Sequence, residues 1–146
     1  MPKVFSLWRG FALRSPIFPV GAILQAGSKR WLSRDERAAY TAPFPDKRYM
    51  AGIRAFPALV PITPDDPATP DNRAAWESLE KFPRPLHTCF ADGDPITRGA
   101  DKALRRRVLG AAEAEHTTIR GARHFLQEDQ GAQIAAFMIA QMDPAR

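Results

Sequence analysis

Gly121-Ala122-Arg123-His124-Phe125-Leu126-Gln127-Glu128-Asp129, with Phe90-Ala91-Asp92-Gly93-Asp94-Pro95-Ile96-Thr97 upstream of it, decides how this chain is read. Each stretch follows a short apolar run of strand character, Leu86 to Ala91 and His116 to Ile119. Between the runs, Asp101 to Leu109 has helical character. Strand, helix, strand in so few residues is a βαβ unit, whose strands lie parallel with a right-handed crossover. Parallel strands end at the same rim of a sheet, so Asp94 and His124 are expected to leave it side by side. A carboxylate beside an imidazole is the orienter and base of a nucleophilic site. No third member of such a site is found in the sequence. Asp92 competes with Asp94 for the acid role.

A chain of 146 residues fits one domain of ordinary size. A hydrophobic fraction of 45% is that of a globular protein and argues against wholesale disorder. Nine of the 14 prolines fall between Pro43 and Pro85, which favours short helices joined by stiff loops there. The single cysteine, Cys89, cannot form an internal disulfide and reads as a small core residue, a usage that suits a reducing compartment such as the cytoplasm. No run approaches the roughly 20 apolar residues needed to span a bilayer. Arg9 and Arg14 interrupt the apolar residues near the start, so a secretory signal is not expected. The acid-free, basic first 34 residues look superficially like an organelle transit peptide but read better as short helices.

A net charge of +5 raises the question of nucleic acid. The basic residues are spread out, however, and the densest run, Arg105-Arg106-Arg107, reads as the solvated face of the helix between the strands. Neither aromatic-and-basic interleaving nor zinc-ligand spacing occurs, so no nucleic acid, metal or cofactor is expected.

Ahead of the βαβ unit the signals are helical. Phe5 to Leu13 has amphipathic spacing and stops before Ser15-Pro16. Val20 to Ala26 is a second short helix that Gly27 can end. Ser33 with Glu36 fits a capping box, opening a helix that must finish by Ala42. Asp46 can cap another through Tyr49 and Ile53 to about Ala55, closed by Phe56-Pro57. Leu59 to Pro70 reads as an irregular loop, and Asp71 as the cap of a helix carrying Trp76 and Leu79. A final helix from Gly131 to Met142 places Ile134, Phe137, Met138 and Met142 at core spacing. Trp31 and Trp76 read as packing residues, and His87 and His116 as structural ones. Two parallel strands cannot bury themselves and normally sit inside a larger sheet, so the fold implied is partial.

Four strings resemble the haloalkane dehalogenases of the α/β-hydrolase fold: Tyr40-Thr41-Ala42-Pro43-Phe44-Pro45-Asp46, Ala51-Gly52-Ile53-Arg54-Ala55-Phe56-Pro57-Ala58-Leu59-Val60-Pro61, Asp94-Pro95-Ile96-Thr97 and His124-Phe125-Leu126-Gln127-Glu128-Asp129. The resemblance runs in order over nearly the whole chain. It implies the C-terminal half of such an enzyme, with an α/β class and a partial α/β-hydrolase fold. Residues 1–80 would be the helical cap region and a crossover helix, and residues 81–146 the last βαβα of the main domain. Met1-Pro2 would match an internal position of a longer relative, so the start methionine is expected to be truncated or misassigned.

In that family an aspartate on a strand-to-helix elbow displaces halide and forms an alkyl ester, which histidine-activated water hydrolyses. The resemblance makes His124 the general base and Asp94 its orienting acid. It casts Trp8, otherwise a plain amphipathic-helix residue, as the indole that holds the halide. Phe5, Phe56, Pro57, Val60 and Ile96 would line an apolar pocket for a small halogenated substrate. The elbow itself is missing, since neither Gly-x-Asp-x-Gly nor Gly-x-Ser-x-Gly occurs. The isolated chain is therefore expected to be inactive. An epoxide hydrolase, using Tyr40 and Tyr49 as donors, is the nearest alternative. A non-catalytic module that associates through bare sheet edges is the alternative of another class.

Overall fold

The computed structural model describes residues 3–142, and the expectation for Met1-Pro2 lies outside the described residues. Two compact units result. Among the described residues the first takes residues 3–25 together with Leu32–Glu77, and the second takes Ala26–Trp31 together with residues 78–142. The short segment Ala26–Trp31 joins the second unit through contacts that no local pattern announces.

The helical elements form for the local reasons the sequence suggests. They are α1 (Lys3–Arg14), α2 (Val20–Gly27), α3 (Arg34–Thr41), α4 (Ala51–Ala55) and α5 (Thr69–Glu80), with 3₁₀ turns at Lys47–Met50 and Phe56–Leu59. At α3 the capping box is complete: the Glu36 N–H donates to Ser33 Oγ at 3.1 Å, and the Ser33 N–H to the Glu36 carboxylate at 2.7 Å. Asp46 caps the first 3₁₀ turn, accepting from the Arg48 N–H at 2.9 Å. Two features differ from expectation: the helix expected from Asp46 to about Ala55 is a 3₁₀ turn at Lys47–Met50 followed by the short α4, and the start of α5 is displaced. α5 starts at Thr69 with Pro70 inside its first turn, where a missing N–H costs nothing, and Asp71 supplies first-turn negative charge instead of the cap.

In the first unit α1 packs on α4 and on the Phe56–Leu59 turn. Ala12, Phe18, Leu24 and Leu32 are buried. The rings of Trp8, Phe11 and Phe18 lie 5.7 to 5.9 Å apart, a spacing at which aromatic pairs attract beyond their buried area. Arg54 sits over the Phe18 ring at 5.0 Å and donates to the carbonyls of Ala12 and Ser15 at 3.2 and 2.7 Å. One guanidinium thus satisfies carbonyls at the negative end of α1 that no helical partner can reach.

The second unit holds β1 (Thr88–Ala91), α6 (Ala100–Arg107), a 3₁₀ turn at Leu109–Ala111, β2 (His116–Ile119) and α7 (Leu126–Met142). β1 and β2 pair in parallel, with Thr88 opposite His116 and Ala91 opposite Ile119. Ala91, Ile119 and Ala122 form the buried centre, with Cys89, Leu126 and Ile134 packed against it. β1 begins two residues later than its apolar run, because the Leu86 N–H is taken by the Gly110 carbonyl at 2.9 Å and not by β2. His116 bridges the strand pair and the 3₁₀ turn, with Nδ1 2.9 Å from Thr88 Oγ1 and Nε2 2.9 Å from the Ala111 carbonyl. It is structural, as is His87, whose Nδ1 lies 3.0 Å from the Glu115 carbonyl.

Four expectations are corrected by this unit. α7 begins at Leu126, five residues before Gly131, with a non-helical Gln130 (φ −143°, ψ 40°) kinking it. Its expected core face is only half realised: Ile134 reaches the core, while Met138 and Met142 are 55% and 76% exposed. Trp31, expected to pack, is 76% exposed. The Arg105–Arg107 run is not merely solvated either. Arg105 pairs with Asp101 one turn earlier at 2.9 Å and donates to Thr88 Oγ1 at 3.1 Å, while Arg107 reaches Glu80 at 2.6 Å.

Candidate active site

Beyond the strands the chain keeps its parallel course. The Asp92 N–H donates to the Ile119 carbonyl and the Gly93 N–H to the Ala122 carbonyl, both at 3.0 Å. The Asp92–Thr97 turn and the Gly121–His124 turn therefore run side by side at one rim, as the βαβ reading requires. Their approach is close enough to dictate residue type: a Cβ on Gly93 would stand 2.6 Å from the Ala122 carbonyl oxygen. Gly121 turns the chain with φ 77°, a conformation that glycine adopts without strain.

At that rim His124 Nδ1 lies 3.0 Å from a carboxylate oxygen of Asp94. The Asp94 side chain is 5% exposed and that of His124 36%. Asp94 also accepts from the Ile96 N–H at 2.7 Å and from the Thr97 hydroxyl. Burial pushes the Asp94 carboxyl up, but the Thr97 hydroxyl, the Ile96 N–H and the His124 ring together outweigh it, and the net shift is downward. An ionised Asp94 makes Nδ1 the donor and leaves Nε2 as the basic nitrogen. Nε2 has no hydrogen-bond partner among the described residues. A ring held in one tautomer by a buried carboxylate, with its other nitrogen free, can take a proton from water.

The rival acid has a different task. Asp92 accepts the Gly121 N–H at 3.0 and 3.2 Å and the Ala122 N–H at 3.3 Å, tying down the turn that carries the histidine. The Gly121 N–H is the main reason its carboxyl titrates low. Two further residues of the site carry no sequence expectation. Thr97 was legible in principle, since an aspartate three residues before a hydroxyl marks a self-bonded turn. Asp129 was not: it accepts the N–H groups of Lys29 at 2.8 Å, Arg30 at 2.9 Å and Arg123 at 2.8 Å, two of them about a hundred residues away. Burial raises the Asp129 carboxyl, yet the Arg30, Lys29 and Arg123 N–H groups bring it below the usual range.

These three depressed carboxyls give a pH dependence with a definite sign. Each folded-state value lies below its unfolded one, so the unfolded chain holds more protons between the two, and stability rises with pH across that window. The stabilisation is complete above the unfolded carboxylate range and disappears as pH falls through the folded values. The urea midpoint should be level from about pH 7 to about pH 5 and drop below about pH 4. Asp129→Asn should drop less steeply, and an identical slope would contradict the assignment.

The remaining expected site residues belong to the first unit, apart from Ile96, which is half-buried beside Asp94. Phe5 and Trp8 lie on α1 and are half-buried, Pro57 is buried, Val60 is half-buried and Phe56 is 70% exposed. The Trp8 indole N–H makes no hydrogen bond among the described residues. Tyr40 and Tyr49 are 38% and 57% exposed. No group of three or more His, Cys, Asp or Glu among the described residues could hold a metal ion. None of their helices is long and apolar enough to cross a membrane.

No protein-family model matches the chain. Among curated proteins it is 47% identical to the haloalkane dehalogenase of Mycobacterium marinum, over 95% of this chain and 46% of that one. The haloalkane dehalogenase of Psychrobacter cryohalolentis is 45% identical over 92% of this chain and 45% of its own length. Among solved structures, the tetrameric haloalkane dehalogenase DpaA of Paraglaciecola agarilytica superposes with a TM-score of 0.82 at 23% identity, covering 99% of this chain and 48% of that one. DatA of Agrobacterium tumefaciens gives 0.77 at 18% identity, covering 97% and 51%. The two superpositions carry the fold, and the curated sequences carry the kinship. Along nearly all of its own residues the chain is thus similar to haloalkane dehalogenases and shares part of their α/β-hydrolase fold, and it spans about half the length of the curated relatives it matches.

Proposed function

We propose that this chain contributes the general base and the orienting acid of a carbon–halogen hydrolysis. The observation that carries the reading is the His124–Asp94 pair at 3.0 Å, with Nε2 unengaged among the described residues. In this reading an aspartate outside these 146 residues attacks the halogenated carbon, so that a carbon–oxygen bond forms as the halide leaves. His124 Nε2 then removes a proton from water, and the hydroxide opens the aspartyl ester to alcohol and carboxylate. Asp94 stabilises the imidazolium produced in that step. The Trp8 N–H, unpartnered among the described residues, is the donor assigned to the departing halide, which an apolar surrounding would otherwise solvate poorly. Phe5, Phe56, Pro57, Val60 and Ile96 are the proposed apolar lining. The reaction needs no cofactor.

The test is a chimaera in which this chain replaces the matching 46% of the Mycobacterium marinum enzyme. Halide release from 1-haloalkanes by the chimaera supports the reading. A folded chimaera that opens epoxides and releases no halide would transfer it to the Tyr40 and Tyr49 alternative.

β1 and β2 pair only with each other among the described residues, which leaves unpaired backbone groups along their outer edges. We propose that the isolated chain associates through these edges, with a second copy or with a complementing segment. Size-exclusion at rising concentration should show mass above 16.2 kDa, and a monomer throughout would end this proposal. The lone, half-buried Cys89 fits a cytoplasmic location, which recovery of the chain in an extracytoplasmic fraction would contradict.

A further inference from the structure

Three consecutive N–H groups ahead of the histidine each end on a carboxylate. Those of Gly121 and Ala122 go to Asp92, that of Arg123 goes to Asp129, and the ring of His124 then goes to Asp94. The next N–H, of Phe125, goes to the Gly27 carbonyl at 3.1 Å. Gly27 has no room for a side chain, since a Cβ there would lie 2.5 Å from the Phe125 ring. Asp129 joins the two sides of this arrangement, gripping Arg123 with one oxygen while both oxygens hold the Lys29–Arg30 turn. Arg30 returns the link, pairing with Glu128 at 3.1 Å. The backbone on either side of His124 is thereby fixed: Arg123 by Asp129 directly, and Phe125 by the segment that Asp129 anchors.

We propose that Asp129 is a positioning residue for His124, setting the ring's approach to Asp94 through the Arg123 peptide and the Gly27–Arg30 segment. The proposal rests on the reading of His124 as base, but its test does not depend on turnover. A ring N–H held on a buried carboxylate exchanges slowly with water, and loosening the backbone that carries the ring speeds that exchange. In the ¹⁵N-labelled 146-residue chain, the His124 Nδ1–H resonance is assigned by its loss in His124→Ala.

Asp129→Ala should accelerate exchange of that proton about tenfold or more, with the amide resonances of Thr88–Ala91 unmoved. Asp129→Asn, which keeps one acceptor oxygen, should fall between. Unaltered exchange in Asp129→Ala would overturn the proposal. If Asp129→Ala fails to fold, Asp129→Asn decides alone: wild-type exchange overturns it, and faster exchange with intact β1 amides supports it. Asp94→Asn separates the two readings. A resonance that persists in Asp94→Asn, or is absent from the unaltered chain, counts against the His124–Asp94 pair itself and hence against the proposed function.

Discussion

In the chimaera with the Mycobacterium marinum remainder, His124→Ala should lower steady-state halide release by about a thousandfold, within the range general bases supply. The loss should have a particular shape. His124 acts on the ester and not on the carbon–halogen bond, so the first displacement survives and about one halide per site should appear as a burst before turnover stops. Mass spectrometry should then find the alkylated nucleophile. A slow linear release with no burst would place His124 in the displacement step and contradict the assigned role. Asp94→Asn should also be slow, because an amide can turn its NH₂ toward Nδ1 and favour the tautomer that carries the proton on Nε2. The unfused 146-residue chain should release no halide at all, since it contains no nucleophile elbow.

Gly110→Ala should cost about 3–5 kcal/mol, combining overpacking with the loss of two backbone hydrogen bonds. A Cβ at this position would stand 1.8 Å from the Arg84 carbonyl oxygen and 2.9 Å from that of Phe82. Both obstacles are backbone, so no side chain can rotate away to make room. The Gly110 N–H also donates to Phe82 at 2.8 Å, and its carbonyl accepts from Leu86 at 2.9 Å. Parting the two runs breaks both bonds and unseats the entry to β1. Against a total of about 5–15 kcal/mol for an ordinary domain, such a loss removes from about a fifth of the stability to all of it. Urea denaturation followed by circular dichroism measures it. Gly52→Ala is the control: nothing lies within 4 Å of its Cβ position, and a helical alanine there should be neutral or stabilising by up to about 1 kcal/mol. A Gly110→Ala midpoint equal to that of the control would show that the two runs are not in contact.

The two glycines look alike in the sequence, and that contrast extends to much of the molecule. Signals that act over a few residues were legible. Ser33 with Glu36, and Asp46 ahead of Arg48, announce caps because a side-chain oxygen two or three residues from an orphan N–H reaches it whatever the rest of the chain does. The alternation of strand, helix and strand implied parallel pairing and a shared rim, and the structure pairs Thr88 with His116 and sets His124 on Asp94. The preference for Asp94 over Asp92 came from the resemblance of Asp94-Pro95-Ile96 to the family's acid turn, and in the structure that turn is closed by Ile96 and Thr97.

Properties that depend on what lies across space were not legible. Helical spacing on α7 marks Met138 and Met142 as apolar positions, but only a neighbouring element can bury them, and among the described residues none does so. Asp129 sits in a string of polar residues that reads as an ordinary helix start, and its partners Lys29 and Arg30 stand about a hundred residues earlier. By itself the sequence determined the local caps, the parallel strand pairing and the shared rim of Asp94 and His124, because each follows from hydrogen-bond reach or side-chain period along the chain. Only the tertiary structure decided how the histidine is held and which glycines tolerate no side chain, because those depend on approaches between segments distant in the sequence.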